Sequence, residues 1–147
     1  MYQCILIATD GSALSRKAVI SAIELAALTG AQMVALKVIP RYPVSYFEGG
    51  MSVETMEVAT AEQQWAEDAL SVVESVKASA HVKGVEVKAV TTSSDQIAES
   101  IIATAKKHKC DLIVMASHGH HGLKRLLLGS KTTQVLAHSL IPVLVFR

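Results

Sequence analysis

"MASHGHHGLKRLLLGSKTTQVL", residues 115–136, is the stretch on which the reading of this chain turns. It leaves an apolar run, passes His118, Gly119, His120 and His121, and reaches Gly129 and Ser130 ahead of a new helical pattern. A strand feeding a glycine-bearing loop and then a helix is one step of a strand and helix alternation. Three chemistries compete for the loop. Imidazoles packed this tightly in sequence cannot easily surround one ion, and no Cys or carboxylate lies alongside, so no metal site is expected. A phosphate cradle fits better. Gly119 and Gly129 let the backbone approach a ligand, and Ser130 opens a helix whose first amides lack intrahelical partners. Such a helix start favours an anion, and Ser130, Lys131, Thr132 and Thr133 add hydroxyls and a positive charge. His118 or His120 would then serve as hydrogen-bond donors. The plain alternative is that Gly129 and Ser130 only turn the chain and cap a helix.

Outward from this stretch, strand-length apolar runs fall at Cys4–Ala8 and at residues 33–39, 85–90, 112–116 and 142–146. Helical stripes lie between them. Leu14, Ala18, Ala22, Leu25 and Ala26 follow Ser12 and stop at Gly30. Val58, Glu62, Trp65, Ala69, Val72, Val76 and Ala80 form a second stripe ending near Gly84. Ile97, Ile101, Ile102 and Ala105 form a third after Ser94 and Asp95, and a fourth runs from Ser130 through Val135, Leu136 and Leu140 to Pro142. The order is β-α-β-α-β-α-β-α-β. It predicts an α/β fold, an open, mostly parallel sheet with helices on both faces, because runs such as CILIA and DLIVMA suit strands buried on both sides. Residues 40–52, with two prolines and two glycines, read as a flexible loop at the carboxyl edge of the sheet.

Length and composition bound the function. A chain of 147 residues suits one domain, residues 1–147. Half of it is hydrophobic, which argues against disorder. A net charge of +1 gives no global field for nucleic acid or anionic membrane. Lys106, Lys107 and Lys109, and the pair Lys124 and Arg125, read as solvated faces. Neither nucleic acid nor membrane is therefore an expected partner. Cys4 and Cys110 belong to no close-spaced metal or redox motif and read as buried free thiols. The amino terminus lacks a signal-peptide pattern, and no run approaches the ~18 apolar residues of a membrane span, so a cytoplasmic location is expected.

The loop is not a P-loop, since Ser130 separates Gly129 from Lys131, and no Gly-x-Gly-x-x-Gly follows the first strand. Asp10 alone does not make the acidic cluster of a receiver domain. In an open α/β sheet, ligands sit outside the carboxyl ends of the strands where strand order reverses, and the loop-like exits are ATDGS and ASHGHHGLKRLLLGS.

These residues resemble the universal stress protein family over essentially the whole chain. The family's nucleotide pattern is Gly, two residues, Gly, nine residues, then Gly-Ser/Thr; Ala116, Gly119, Gly129 and Ser130 stand at those positions, with alanine for the first glycine. ILIATDGSALSRKA resembles the family's opening and IPVLVFR its final strand. The resemblance implies a five-stranded parallel sheet of order 3-2-1-4-5, the Rossmann-like sandwich of the adenine nucleotide alpha hydrolases. It implies that Ala8, Thr9 and Asp10 border an adenosine and that Val38 and Met115 flank its base. Gly119, Gly129, Ser130, Lys131 and Thr132 would hold the phosphates of ATP, or of ADP or AMP, with Mg or Mn bridging them. It also implies a homodimer through the last strand, residues 142–147, and a protein partner that the sequence does not identify.

Three functions are thus expected to compete. They are a nucleotide-binding regulatory dimer of the stress response, a dimeric adaptor of the same fold without nucleotide, and a slow ATPase. No acidic residue lies in residues 115–136 to orient a water, so no catalytic residue is expected and hydrolysis would be weak at most.

Overall fold

A computed structural model of the chain describes residues 1–41, 51–119 and 128–147, with side chains from residue 57 onward in the helix that starts at Met51. The elements run β1 (Cys4–Ala8), α1 (Ala13–Thr29), β2 (Gln32–Ile39), α2 (Met51–Val82), β3 (Val87–Ser93), α3 (Ile97–Lys107), β4 (Leu112–Ala116), α4 (Ser130–His138) and β5 (Val143–Phe146). All strand pairs are parallel, in the order β3-β2-β1-β4-β5. The expected fold class and strand order are those observed.

Successive residues of a strand point to opposite faces, and each central strand feeds two cores. Ile5, Ile7, Met33, Ala35, Leu112 and Val114 pack with Ala18, Ala22 and Ile23 of α1 and Val73, Val76 and Ala80 of α2. Leu6, Val34, Leu36, Val38, Ile113 and Met115 pack on the other side with Ala98, Ile101 and Ala105 of α3 and Val135 of α4. That is why CILIA and LIVMA read as unbroken apolar runs rather than alternating ones. Fully burying such a side chain contributes ~1.5–3 kcal/mol.

Local signals set the helix ends. Ser12 caps α1 by accepting from the Ser15 amide, and Gly30 ends it in the left-handed region at φ 72°. Several expected boundaries move. The fourth helix ends at His138, short of Leu140 and Pro142, where the Ser139 amide closes it on the Val135 carbonyl; β2 starts one residue earlier, at Gln32, and β5 one later, at Val143. The third strand begins at Val87, not Val85, and continues through the polar Thr91, Thr92 and Ser93. Val85 belongs to the turn that ends α2, its amide donating to the Ala80 carbonyl at 3.0 Å. β3 lies at a sheet edge, so half its positions face water and its carboxyl end carries no apolar mark. The cap of α3 is Gln96 rather than Ser94 or Asp95. Ser94 Oγ instead accepts from the Gln96 amide, and Asp95 Oδ1 accepts from the Arg41 amide. The long stripe of α2 is buried at Ala69, Val73, Val76 and Ala80, whereas Glu62 and its neighbours face solvent, because the described side chains of α2 that pack on the sheet lie in its carboxyl half. Of the loop expected at residues 40–52, Met51 and Ser52 belong to α2, and residues 42–50 lie outside the described residues. No helix among the described residues is long and apolar enough to cross a membrane.

The amino ends of β1 and β4 are locked by Asp111. Its carboxylate accepts from the amides of Gln3, at 2.9 Å, and Cys4, at 3.1 Å, while its own amide donates to the Cys4 carbonyl. Burial alone would raise its pKa, but these amides and the nearby amino terminus hold it below the usual carboxylate value. A depressed folded pKa gives stability that is present above the unfolded value of about 3.9 and lost as pH falls through the folded one. Asp111→Asn is therefore expected to unfold at lower urea than the parent at pH 7. The gap should narrow steadily below about pH 4, and a gap independent of pH would show that the carboxylate charge plays no part.

Candidate functional site

The sheet order reverses between β1 and β4, whose following helices α1 and α4 cross to opposite faces. A crevice opens above their carboxyl ends. It encloses a cavity of about 330 Å³, within the range of small-molecule pockets. Of the residues named from the sequence, Ala8, Thr9 and Asp10 from β1 and its loop, Val38 from β2, Met115 and Ala116 from β4, Gly119, Gly129, and Ser130, Lys131 and Thr132 from α4 line it; Thr133 does not, because its hydroxyl donates back to the Gly129 carbonyl at 3.0 Å on the exposed side of α4. His118 lines it as well, and its Nδ1 lies 3.0 Å from Ser117 Oγ. His120, His121, Lys124 and Arg125 lie outside the described residues.

One wall is built by the loop after β1. Thr9 Oγ1 meets Ser15 Oγ at 2.5 Å, and Gly11 turns the chain at φ 81°. Asp10 Oδ1 then accepts from the Ser12 amide at 2.9 Å, which sets its carboxylate toward the cavity. The facing wall is the start of α4. Gly129 holds the cap position in extended backbone with no side-chain cap bond, and its amide donates to the Ser117 carbonyl at 2.7 Å. The first-turn amides of Ser130, Lys131 and Thr132 have no intrahelical acceptor and carry the positive end of the helix dipole. Thr132 is buried and spends its hydroxyl proton on the Ala116 carbonyl at 2.9 Å, tying α4 to the end of β4. Leu36, Val38, Ile97, Ile101 and Met115 make the floor apolar.

Space around both glycines is tight. A Cβ on Gly119 would collide with the carboxylate of Asp10, and one on Gly129 would sit 3.2 Å from the Ser117 carbonyl oxygen. Ala116 ends β4 in register with Phe146 of β5, and among the described non-glycine residues only Lys109 has positive φ. The first position of the glycine pattern therefore asks for no left-handed backbone here. Alanine changes the site only by its methyl group.

Lys37 lines the cavity and was not among the residues singled out from the sequence. Its Nζ lies 3.5 Å from the Asp10 carbonyl oxygen. Burial lowers its pKa and Lys131 lowers it further, against the opposing pull of Asp10. The available signal was one charged residue near the carboxyl end of the apolar run QMVALKVI. Two lysines and a helix start outweigh the Asp10 carboxylate, so the polar end of the crevice is suited to an anion. Among the described residues no group of three or more His, Cys, Asp and Glu gathers to hold a metal.

The model of the universal stress protein family matches residues 1–147. The chain is 32% identical over 149 residues to universal stress protein YxiE of Bacillus subtilis, covering all of both. It superposes on the structure of MJ0577, a protein of Methanocaldococcus jannaschii, with a TM-score of 0.82 at 29% identity, covering 99% of this chain and 96% of that one. The same fold appears in a universal stress protein in complex with cAMP, with a TM-score of 0.71 at 21% identity, covering 99% and 97% of the two chains. It appears again in one from Archaeoglobus fulgidus in complex with dAMP, with a TM-score of 0.65 at 17% identity, covering 99% and 98%.

The contact between Gly119 and Asp10 can be measured by a double-mutant cycle. Gly119→Ala must push the Asp10 carboxylate off the Ser12 amide, at a cost of ~1 kcal/mol or more. In an Asp10→Ala background the same substitution should cost less by about that amount, read from urea midpoints. Additive effects would place Asp10 away from Gly119.

Proposed function

This chain belongs to the universal stress protein family, and on that footing we propose that it is a cytoplasmic regulatory protein of the stress response that binds an adenine nucleotide in the crevice between β1 and β4. The observation that carries the proposal is the division of the cavity. A helix start with Ser130, Lys131 and Lys37 around it forms one end, and an apolar floor of Leu36, Val38 and Met115 forms the other. A nucleotide has the same division, with charged phosphates joined to a flat base of low polarity. The cAMP and dAMP complexes of proteins with this fold support the choice of an adenine ring. Ala8, Thr9 and Asp10 would border the sugar, and the amides of Ser130, Lys131 and Thr132, beside Gly119 and Gly129, would meet the phosphates.

A divalent cation fits as part of the ligand. Magnesium keeps several waters and takes one or two carboxylates together with phosphate oxygens, and Asp10 is the carboxylate that lines the cavity. When bound it would neutralise phosphate charge. Lys37 and Lys131 do part of the same work from the protein side. Binding would act by favouring one state of the chain over another, which requires the nucleotide to discriminate between them by a few kcal/mol.

The sheet edge supports a dimer. β5 is the last strand of the sheet, and Leu144 within it, Leu140 just before it and Leu136 of α4 are exposed, Leu140 to 91%. Pairing of β5 with its copy in a second chain would satisfy the unpaired edge and cover these leucines. The dimer would present the bound state to a protein partner.

Untagged protein, purified and denatured, is expected to release an adenine nucleotide, identified by mass spectrometry, or to bind added Mg-ATP by calorimetry. Ala116→Gly should retain binding. Gly129→Ala with Ser130→Ala should lose it, and Lys37→Met should weaken ATP roughly tenfold while leaving adenosine nearly unchanged. A parent that neither carries nor takes up nucleotide, beside an Ala116→Gly variant that does, would make the chain an adaptor instead. Sedimentation should show a dimer that Leu140→Asp with Leu144→Asp converts to monomer, and a monomeric parent would overturn the edge pairing.

A further inference from the structure

Cys4 starts β1, and Cys110 lies just before β4, at the end of the sheet opposite the crevice. Though 106 positions apart, their Sγ atoms lie 3.2 Å from each other, and both are free thiols. The sheet itself holds them there. The Asp111 amide donates to the Cys4 carbonyl at 2.9 Å, the Cys4 amide donates to Asp111 Oδ1, and Ile5 pairs with Leu112. A disulfide has its sulfurs ~2.05 Å apart, so closure asks for a shift of little more than ~1 Å, within reach of side-chain rotation. We propose that Cys4 and Cys110 are a redox-modification site, forming a reversible disulfide within one chain when hydrogen peroxide is present.

The two thiols have different environments and therefore different parts. Cys110 is buried, and burial, with the Cys4 contact adding to it, pushes its thiol well above the ordinary cysteine range. Cys4 is half-buried and borders a surface concavity lined also by Gln32, Lys88 and His108. Since the thiolate is the nucleophile, Cys4 attacks and Cys110 resolves. The Cys4 thiolate attacks one peroxide oxygen. The S–O bond forms as the O–O bond breaks, and the departing hydroxide takes up a proton to become water. The Cys110 sulfur then attacks the Cys4 sulfenic acid. The S–S bond forms, the S–O bond breaks, and the leaving hydroxide carries off the Cys110 proton as a second water. Each sulfur loses one electron, and each peroxide oxygen gains one.

The link would tie the first strand to the fourth across a 106-residue separation and restrict the unfolded chain strongly. Neither cysteine lines the crevice, so the disulfide stands or falls apart from nucleotide binding.

The test uses the native chain. Folded protein is treated with hydrogen peroxide, alkylated and digested without reduction. Both thiols should disappear together, and a peptide joining Cys4 to Cys110 should appear in a chain that runs as a monomer on a denaturing gel without reductant. The thermal midpoint should rise by at least about 5 °C and fall back with dithiothreitol. Cys110→Ser should leave a Cys4 sulfenic acid that dimedone traps, whereas Cys4→Ser should leave Cys110 unoxidised. Three results would overturn the proposal: both thiols still alkylated after peroxide, Cys4 carried on to sulfinic acid beside a reduced Cys110, or a disulfide that joins two chains.

Discussion

The parallel pairing of β1 with β4 is the contact on which the rest of this molecule depends. Ile5, Leu6 and Ile7 lie in register with Leu112, Ile113 and Val114, so two buried runs from opposite halves of the chain form the middle of the sheet. Right-handed crossovers then send α1 to one face and α4 to the other. Among the described residues no helix covers the carboxyl ends of this pair, and the crevice is the space left over. The Asp111 carboxylate and the two cysteines sit at the opposite end of the same pair, where the chains enter the sheet.

The crevice owes its character to backbone as much as to side chains. Ser12 spends its hydroxyl on capping α1, whereas the cap of α4 offers no side chain to its first amides, whose residues line the cavity. Gly129 and Gly119 permit that arrangement by giving room to the Ser117 carbonyl and the Asp10 carboxylate. Lys37 adds a charge held partly out of water, where an ammonium interacts more strongly with an anion than it would at the surface. Thr132 turns inward and keeps the helix start fixed to β4.

Strand and helix order, the placing of both caps of α1 and the burial of all of β4 and of the middle of β1 were legible because each is written in local pattern. Period, turn residues and unbroken apolar runs report on neighbours a few positions away. The polar end of β3 escaped because an edge strand needs no apolar residue on its solvent side. The stripe of α2 was misweighted at Glu62 and Val73, since periodicity marks a face but not how far along the helix the sheet extends. Lys37 escaped for a related reason. A lone lysine in a strand carries no sign of whether its ammonium reaches solvent or a cavity.

The sequence by itself determined the α/β class and, through the glycine spacing and its flanking runs, the family and with it many of the residues that line the crevice. These properties rest on periodicity and on ordered local signatures. Only the tertiary structure decided that Ala116 sits in ordinary extended backbone, that Lys37 joins Lys131 and Asp10 around one cavity, and that Cys4 meets Cys110. Each of those depends on which strands lie side by side and in what register. Register is set by the packing of two cores at once, across more than a hundred residues of chain, and no short stretch of sequence carries it.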